Sequence, residues 1–126
     1  MKSLTRIVLI AISSLFLIGC VTTVRERTAE TVAYIRGDLK SGFDKPVKKL
    51  NQAVMEMADN FEFIVYQERT DALSGSFEYE NAQEDSIVIK TKQVDANSSD
   101  IMIRIGLLGD EELSIQILEE IQRELN

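Results

Sequence analysis

A chain of 126 residues, 44% hydrophobic and 28% charged, has room for one globular domain and is neither fibrous nor wholly disordered. Its 14 Lys and Arg against 21 Asp and Glu leave a net charge of -7, the wrong sign for a protein that lives on nucleic acid. With no His, no Trp and a single Cys, most of the usual catalytic toolkit is missing.

The first residues read as an address. Lys2 and Arg6 precede an apolar run from Ile7 to Ile18 that ends in Leu17-Ile18-Gly19-Cys20. A basic n-region, a short apolar h-region and a small-residue cleavage site make a secretory signal. A bilayer-spanning helix needs about 20 apolar residues, more than this run supplies. Leu-x-Gly-Cys at the cleavage point resembles the bacterial lipobox, in which the cysteine is acylated and becomes the new N-terminus. Residues 1–19 are therefore expected to be a lipoprotein signal peptide and Cys20 the lipidation site. The alternative is an uncleaved anchor in which Cys20 is an ordinary small residue. Stable anchoring takes more than one acyl chain, at about 0.8 kcal/mol per buried methylene, and an acylated cysteine carries two or three. Val21 follows the cysteine; lipoproteins retained in the inner membrane usually have Asp there, so the resemblance implies the outer membrane, facing the periplasm. Loss of Lys2 and Arg6 leaves 12 basic against 21 acidic residues, a net of -9, so acyl chains rather than basic patches would bind the membrane.

Residues 20–30 are polar, with Arg25, Glu26, Arg27 and Glu30, and are expected to be the acylated cysteine and a tether. Residues 31–126 are expected to be a single α+β domain. Val32, Tyr34 and Arg36 alternate with Ala33, Ile35, Gly37 and Leu39, which predicts one strand that Gly42 breaks. Asp44 and Pro46 mark a helix start, and Val47, Leu50, Val54, Met57 and Phe61 share one helical face ending near Asn60. Phe61 to Arg69 predicts a strand partly buried on both faces. Leu73, Gly75, Phe77 and Tyr79 alternate with polar residues in the cleanest half-buried pattern of the chain. Ile87 and Ile89, then Ile101, Ile103 and Ile105, predict two more strands, with turns at Thr70-Asp71, 81–85 and 95–100. A last helix opens at Asp110 with Glu111 and Glu112 in its first turn, and Leu113, Ile117, Leu118, Ile121 and Leu125 form its apolar face. The order strand, helix, four strands, helix predicts an α+β two-layer sandwich: an antiparallel sheet of about five strands with two helices on one face.

Several segments resemble one family. They are Thr31 to Leu39, Asp71-Ala72-Leu73-Ser74-Gly75, and Arg104-Ile105-Gly106-Leu107-Leu108-Gly109-Asp110-Glu111 with Leu113-Ser114 and Ile117-Leu118. Together with the lipobox, they are similar to the small bacterial lipoproteins of domain-of-unknown-function 3568. The charged, Thr-rich tether departs from the Ala- and Gly-rich stretch that members often have there. The resemblance implies a lipoprotein without catalytic residues to carry over.

The chemistry that the residues offer is thin. Gly106-Leu107-Leu108-Gly109 before a helix invites a phosphate-loop reading, but Asp110, Glu111 and Glu112 occupy the positive helix end themselves. Glu111/Glu112 and Glu119/Glu120 are neighbours that point about 100° apart on a helix, so they share no proton, and Glu119 with Arg123 is expected to pair. Lys40, Lys45, Lys48 and Lys49 form a basic cluster, either a solubility face or a site for an acidic partner or polysaccharide phosphates. Without His or a free thiol an enzyme is not expected, and neither is a metal or cofactor. A carboxylate enzyme would need Asp38, Asp71 and Asp110 to converge in one cleft.

The expected function is a lipid-anchored, non-catalytic interaction module of the cell envelope. Its membrane contact runs through the acyl chains on Cys20, its partner is another envelope protein, and nucleic acid is not a partner. The alternative is a small apolar ligand or lipid in a cavity between sheet and C-terminal helix, as in reduced helix-grip folds, lined by Phe43, Met57, Phe61, Phe63, Tyr66, Phe77 and Tyr79. Whether Lys90, Lys92, Arg104, Glu78 and Glu80 lie on a bare or a covered sheet face is open from the sequence.

Overall fold

The computed structural model describes residues 32–126. The signal segment, Cys20 and the tether lie outside the described residues. At the start of the domain the single predicted strand is a hairpin. β1 (Ala33–Ile35) and β2 (Asp38–Phe43) pair antiparallel across Arg36 and Gly37, whose φ values of 54° and 91° are both left-handed. Two positive φ angles make the tight turn whose twist suits a hairpin. Gly42 does not end the strand but continues β2. Tyr34 consequently shares a face with Leu39, while Ala33 and Ile35 go to the opposite face.

α1 (Val47–Asn60) follows Pro46, which sits at its N-cap and offers no side-chain cap. Strand residues supply what the cap lacks. The Val47 N–H donates to Gln93 Oε1 at 2.7 Å, and Ser99 Oγ donates to the Lys45 carbonyl at 2.8 Å. Val47, Leu50, Val54 and Met57 are buried as the periodicity predicts, and Phe61 closes the helix half-buried.

β3 (Ile64–Thr70), β4 (Ser74–Glu80), β5 (Ser86–Asp95) and β6 (Ser98–Ile105) form a meander. β6 then pairs with β2, giving the antiparallel order β1-β2-β6-β5-β4-β3. Six strands replace the expected five because of the split at Arg36-Gly37. β3 is an edge strand, so Ile64, Val65 and Tyr66 are 55%, 51% and 64% exposed rather than partly buried on both faces. The turn expected over 95–100 shrinks to Ala96-Asn97.

α2 (Glu111–Leu125) starts at Asp110, whose side chain accepts from the Leu113 N–H at 3.0 Å. Arg123 pairs with Glu120 instead of Glu119. Glu120 also accepts from Asn60 Nδ2 at 3.1 Å, which turns it toward α1.

Both helices pack on one sheet face. The core joins Leu50, Val54 and Met57 of α1 and Ile117, Leu118 and Ile121 of α2 to the inward side chains of β2, β4, β5 and β6. Gly75 is required within it. A Cβ there would lie 2.4 Å from Asn51 Oδ1 and 2.6 Å from Thr91 Oγ1, the two groups that tie α1 to β5 beneath it.

Candidate docking surface

Six of the seven residues predicted to line a cavity lie in or against the core. Phe43, Met57, Phe77 and Tyr79 are buried, and Phe61 and Phe63 pack against them half-buried. Rings run in sequence from Phe61 to Phe63 (centroids 5.5 Å), Phe63 to Tyr79 (6.2 Å) and Tyr79 to Phe77 (6.2 Å). The Tyr79 hydroxyl donates to Glu68 Oε1 at 3.0 Å; burial first, then the Glu68 carboxylate, pushes its phenol above the ordinary range. Tyr66 does not join them. It sits at the bulge of β3, 64% exposed, with its hydroxyl donating to Glu80 Oε2 at 2.8 Å. Glu80 has the parity of Ser76 and Glu78, opposite buried Phe77 and Tyr79, so this bond holds Tyr66 on the side of the sheet away from the helices and out of any space between the two layers.

Among the described residues the opposite sheet face carries no helix, and its side chains fall into rows set by register. Ala33, Lys40, Met102, Lys90, Ser76 and Arg69 stand side by side across all six strands. The next row toward the β5–β6 turn is Gly42, Asp100, Lys92 and Ser74. Where these rows meet, a shallow trough of about 530 Å³ opens. Its floor is Met102, Ala33 and Gly42; its rim is Lys40, Lys90 and Lys92, with Asp100 as the acidic member. Among the described residues none of these three lysines makes an ion pair. The basic cluster read from adjacency in the chain is thereby divided. Lys48 and Lys49 are exposed on α1, whereas Lys40 belongs with Lys90 and Lys92 on the far side of the sheet. Cross-strand neighbours are remote in sequence, so only the Lys40–Met102–Lys90 register brings them together.

On the other side of the trough the row Ile35, Asp38, Arg104, Val88 and Glu78 is neutralised locally. Arg104 Nη1 donates to Asp38 Oδ1 and to the Arg36 carbonyl, both at 3.0 Å, and Nη2 donates to the Leu107 carbonyl at 2.6 Å. These bonds fix the loop that follows β6. Gly106 and Gly109 have φ of 65° and 84°, and a Cβ on Gly109 would lie 2.4 Å from Gly37 Cα. The loop is thus pressed against the β1–β2 turn with Leu107 and Leu108 at its tip, 88% and 87% exposed. Asp85 and Asp110 lie beside the tip. Asp110 already holds the Leu113 amide, which leaves a negative charge where a phosphate would have to bind.

The three carboxylates of the sequence-based candidate site each have a different local partner. Asp38 binds Arg104, Asp110 caps α2, and Asp71 belongs to the β3–β4 turn. There its carboxylate accepts from the Leu73 and Ser74 amides and the Ser74 hydroxyl, bonds that lower its pKa. Among the described residues no three His, Cys, Asp or Glu side chains stand close enough to hold a metal. No helix among them is long and apolar enough to cross a membrane.

Residues 3–124 match the model of a family described as a protein of unknown function, DUF3568. The chain belongs to this family. The DUF3568 match runs through the trough strands, the leucine tip and all but the end of α2. No curated protein matches the chain.

Proposed function

We propose that this DUF3568 protein is a lipid-anchored cell-envelope protein whose domain is a non-catalytic docking module. It is held at the outer membrane, facing the periplasm, by acyl chains on Cys20, and takes an acidic, partly apolar protein segment into the sheet trough. The lipobox residues Leu17 to Cys20 support the anchor. The carrying observation for docking is the set of three lysines around Met102 that pair with no carboxylate among the described residues, on the sheet face opposite α1 and α2. Three like charges held around one methionine by strand register favour a negatively charged occupant. Met102 supplies an adaptable apolar contact at their centre. Asp38, Asp100, Glu78 and Glu80 interleave with the cations on this face, a mixed pattern that suits a protein surface better than a uniformly anionic bilayer.

Two measurements test this. Mass spectrometry of the N-terminal peptide from membranes should find diacylated or triacylated Cys20, and Cys20→Ser should leave the chain unacylated; an unmodified cysteine overturns the anchor. A short synthetic peptide with two leucines flanked by glutamates, carrying a neutral dye, should bind the full chain in vesicles. Lys90→Glu with Lys92→Glu should abolish that binding, and binding that survives the charge reversal overturns the docking reading.

A further inference from the structure

The bare sheet face and the Gly106–Gly109 loop carry complementary chemistry on one molecule. The tip offers two adjacent leucines that none of the described residues covers, 88% and 87% exposed. It is a built projection: two left-handed glycines shape it, Gly37 packs against Gly109, and Arg104 holds the Leu107 carbonyl. Its surroundings are acidic, with Asp85 and Asp110 beside it and exposed Glu111 and Glu112 following. Arg36 in the facing turn is the opposing cation there, since Arg104 is spent on Asp38. The trough offers the reverse: an apolar floor at Met102, and Lys40, Lys90 and Lys92 outnumbering Asp100 on the rim.

A copy does not fill its own trough. The loop is pinned beyond the end of β6, and the Asp38–Arg104 row stands between it and Met102. We infer that the trough receives the Leu107–Leu108 tip of a second copy of this chain, an inference that rests on the docking reading above. Tip and trough are different patches, so the contact is heterologous, and each copy that uses its tip still has a trough to offer. The outcome is a head-to-tail row of copies. Two leucines and their collar bury far less than the roughly 1,600 Å² of a standard stable complex, so the contact is weak between free molecules. Confinement to one membrane raises the effective concentration enough to populate it.

The test uses the full chain in vesicles of zwitterionic phospholipid. One population carries Leu107→Cys, which keeps Leu108, and the other carries Met102→Cys; a short bis-maleimide links thiols that meet, with the parent chain as the blank. Mixed vesicles should give a crosslinked dimer in several-fold excess over vesicles holding Leu107→Cys alone. Adding Lys90→Glu and Lys92→Glu to the Met102→Cys chain should remove that excess, as should high salt, and thermal melts should show every variant folded. Equal yields in mixed and single vesicles would mean tips meeting tips and would overturn the inference. So would the absence of any dimer. If no dimer forms while the leucine-glutamate peptide still binds the trough, the occupant is a different protein and docking stands; loss of both removes the docking reading as well.

Discussion

On the helix side of the sheet Ile87, Ile89, Ile101 and Ile103 are 0% to 2% exposed, whereas one residue along the same strands Val88, Lys90, Met102 and Arg104 stand on the bare side. The two faces share a backbone and differ only in the parity of the position. A strand alternates its side chains with a period of two, so parity decides which solvent each residue meets. On the covered face a substitution is felt as lost packing. On the bare face the fold tolerates change, and what alters is the surface shown to a partner.

That contrast can be broken at several points. Ile103→Ala, in the fully buried middle of β6, should cost about 2–5 kcal/mol, read from the denaturation midpoint, while Met102→Ala next to it should cost less than half of that. Equal losses would mean that the bare face is packed after all. Gly75→Ala should be the next most harmful, about 1–3 kcal/mol, because the new methyl drives into Asn51 and Thr91. Thr91→Ser in the same chain should recover little of it, since Oγ1 remains and Asn51 is the closer group. Asp110→Ala removes the α2 cap and should cost about 1 kcal/mol by thermal unfolding. Lys90→Glu with Lys92→Glu should leave stability within about 0.5 kcal/mol, even as it abolishes peptide binding.

The smallest expected effect sharpens the covered side, where the helices meet. Glu56 shares a hydrogen bond with Glu124; that bond first, then desolvation and repulsion from Glu124 and Asp59, raises its carboxyl pKa. A raised folded value means that this contact favours folding when Glu56 is protonated, and the benefit fades as pH rises through that value. Melting temperature followed from acid to neutral pH should show a slight decline from this source, which Glu56→Gln removes. The turn carboxylates Asp71 and Asp95 carry the opposite sign. Amide bonds from Leu73 and Asn97 lead in lowering their pKa values, so their contribution is present above the ordinary Asp range and disappears on acidification.

Local patterns in the chain made much of the fold legible. Val47, Leu50, Val54 and Met57 announced α1 at three- and four-residue steps, Asp110 announced the start of α2, and the isoleucines of β5 and β6 announced buried faces. The hairpin at Arg36-Gly37 was harder, because arginine is not a usual occupant of a left-handed turn and the alternation continues through it. For the same reason Gly42 read as a breaker when it is a strand residue. The exposure of Tyr66 was invisible, since an aromatic strand looks the same in the middle of a sheet as at its edge. The trough was the least legible of all. In sequence Lys40 neighbours Lys45, Lys48 and Lys49, while the residues that flank it in space are Ala33 and Met102, with Lys90 one strand further.

The amino-acid sequence by itself determined the two helices, the antiparallel α+β class and the identity of most core residues, because periodicity and capping act over a few residues and need no knowledge of what packs where. Only the tertiary structure decided strand order and register. Both depend on long-range pairing between β2 and β6, which closes a chain segment of more than fifty residues and leaves no local trace. That pairing, set by burying Leu39 and Phe43 beside Ile103 and Ser99, is what places Lys40, Met102 and Lys90 in one row and leaves the leucine tip standing clear of them.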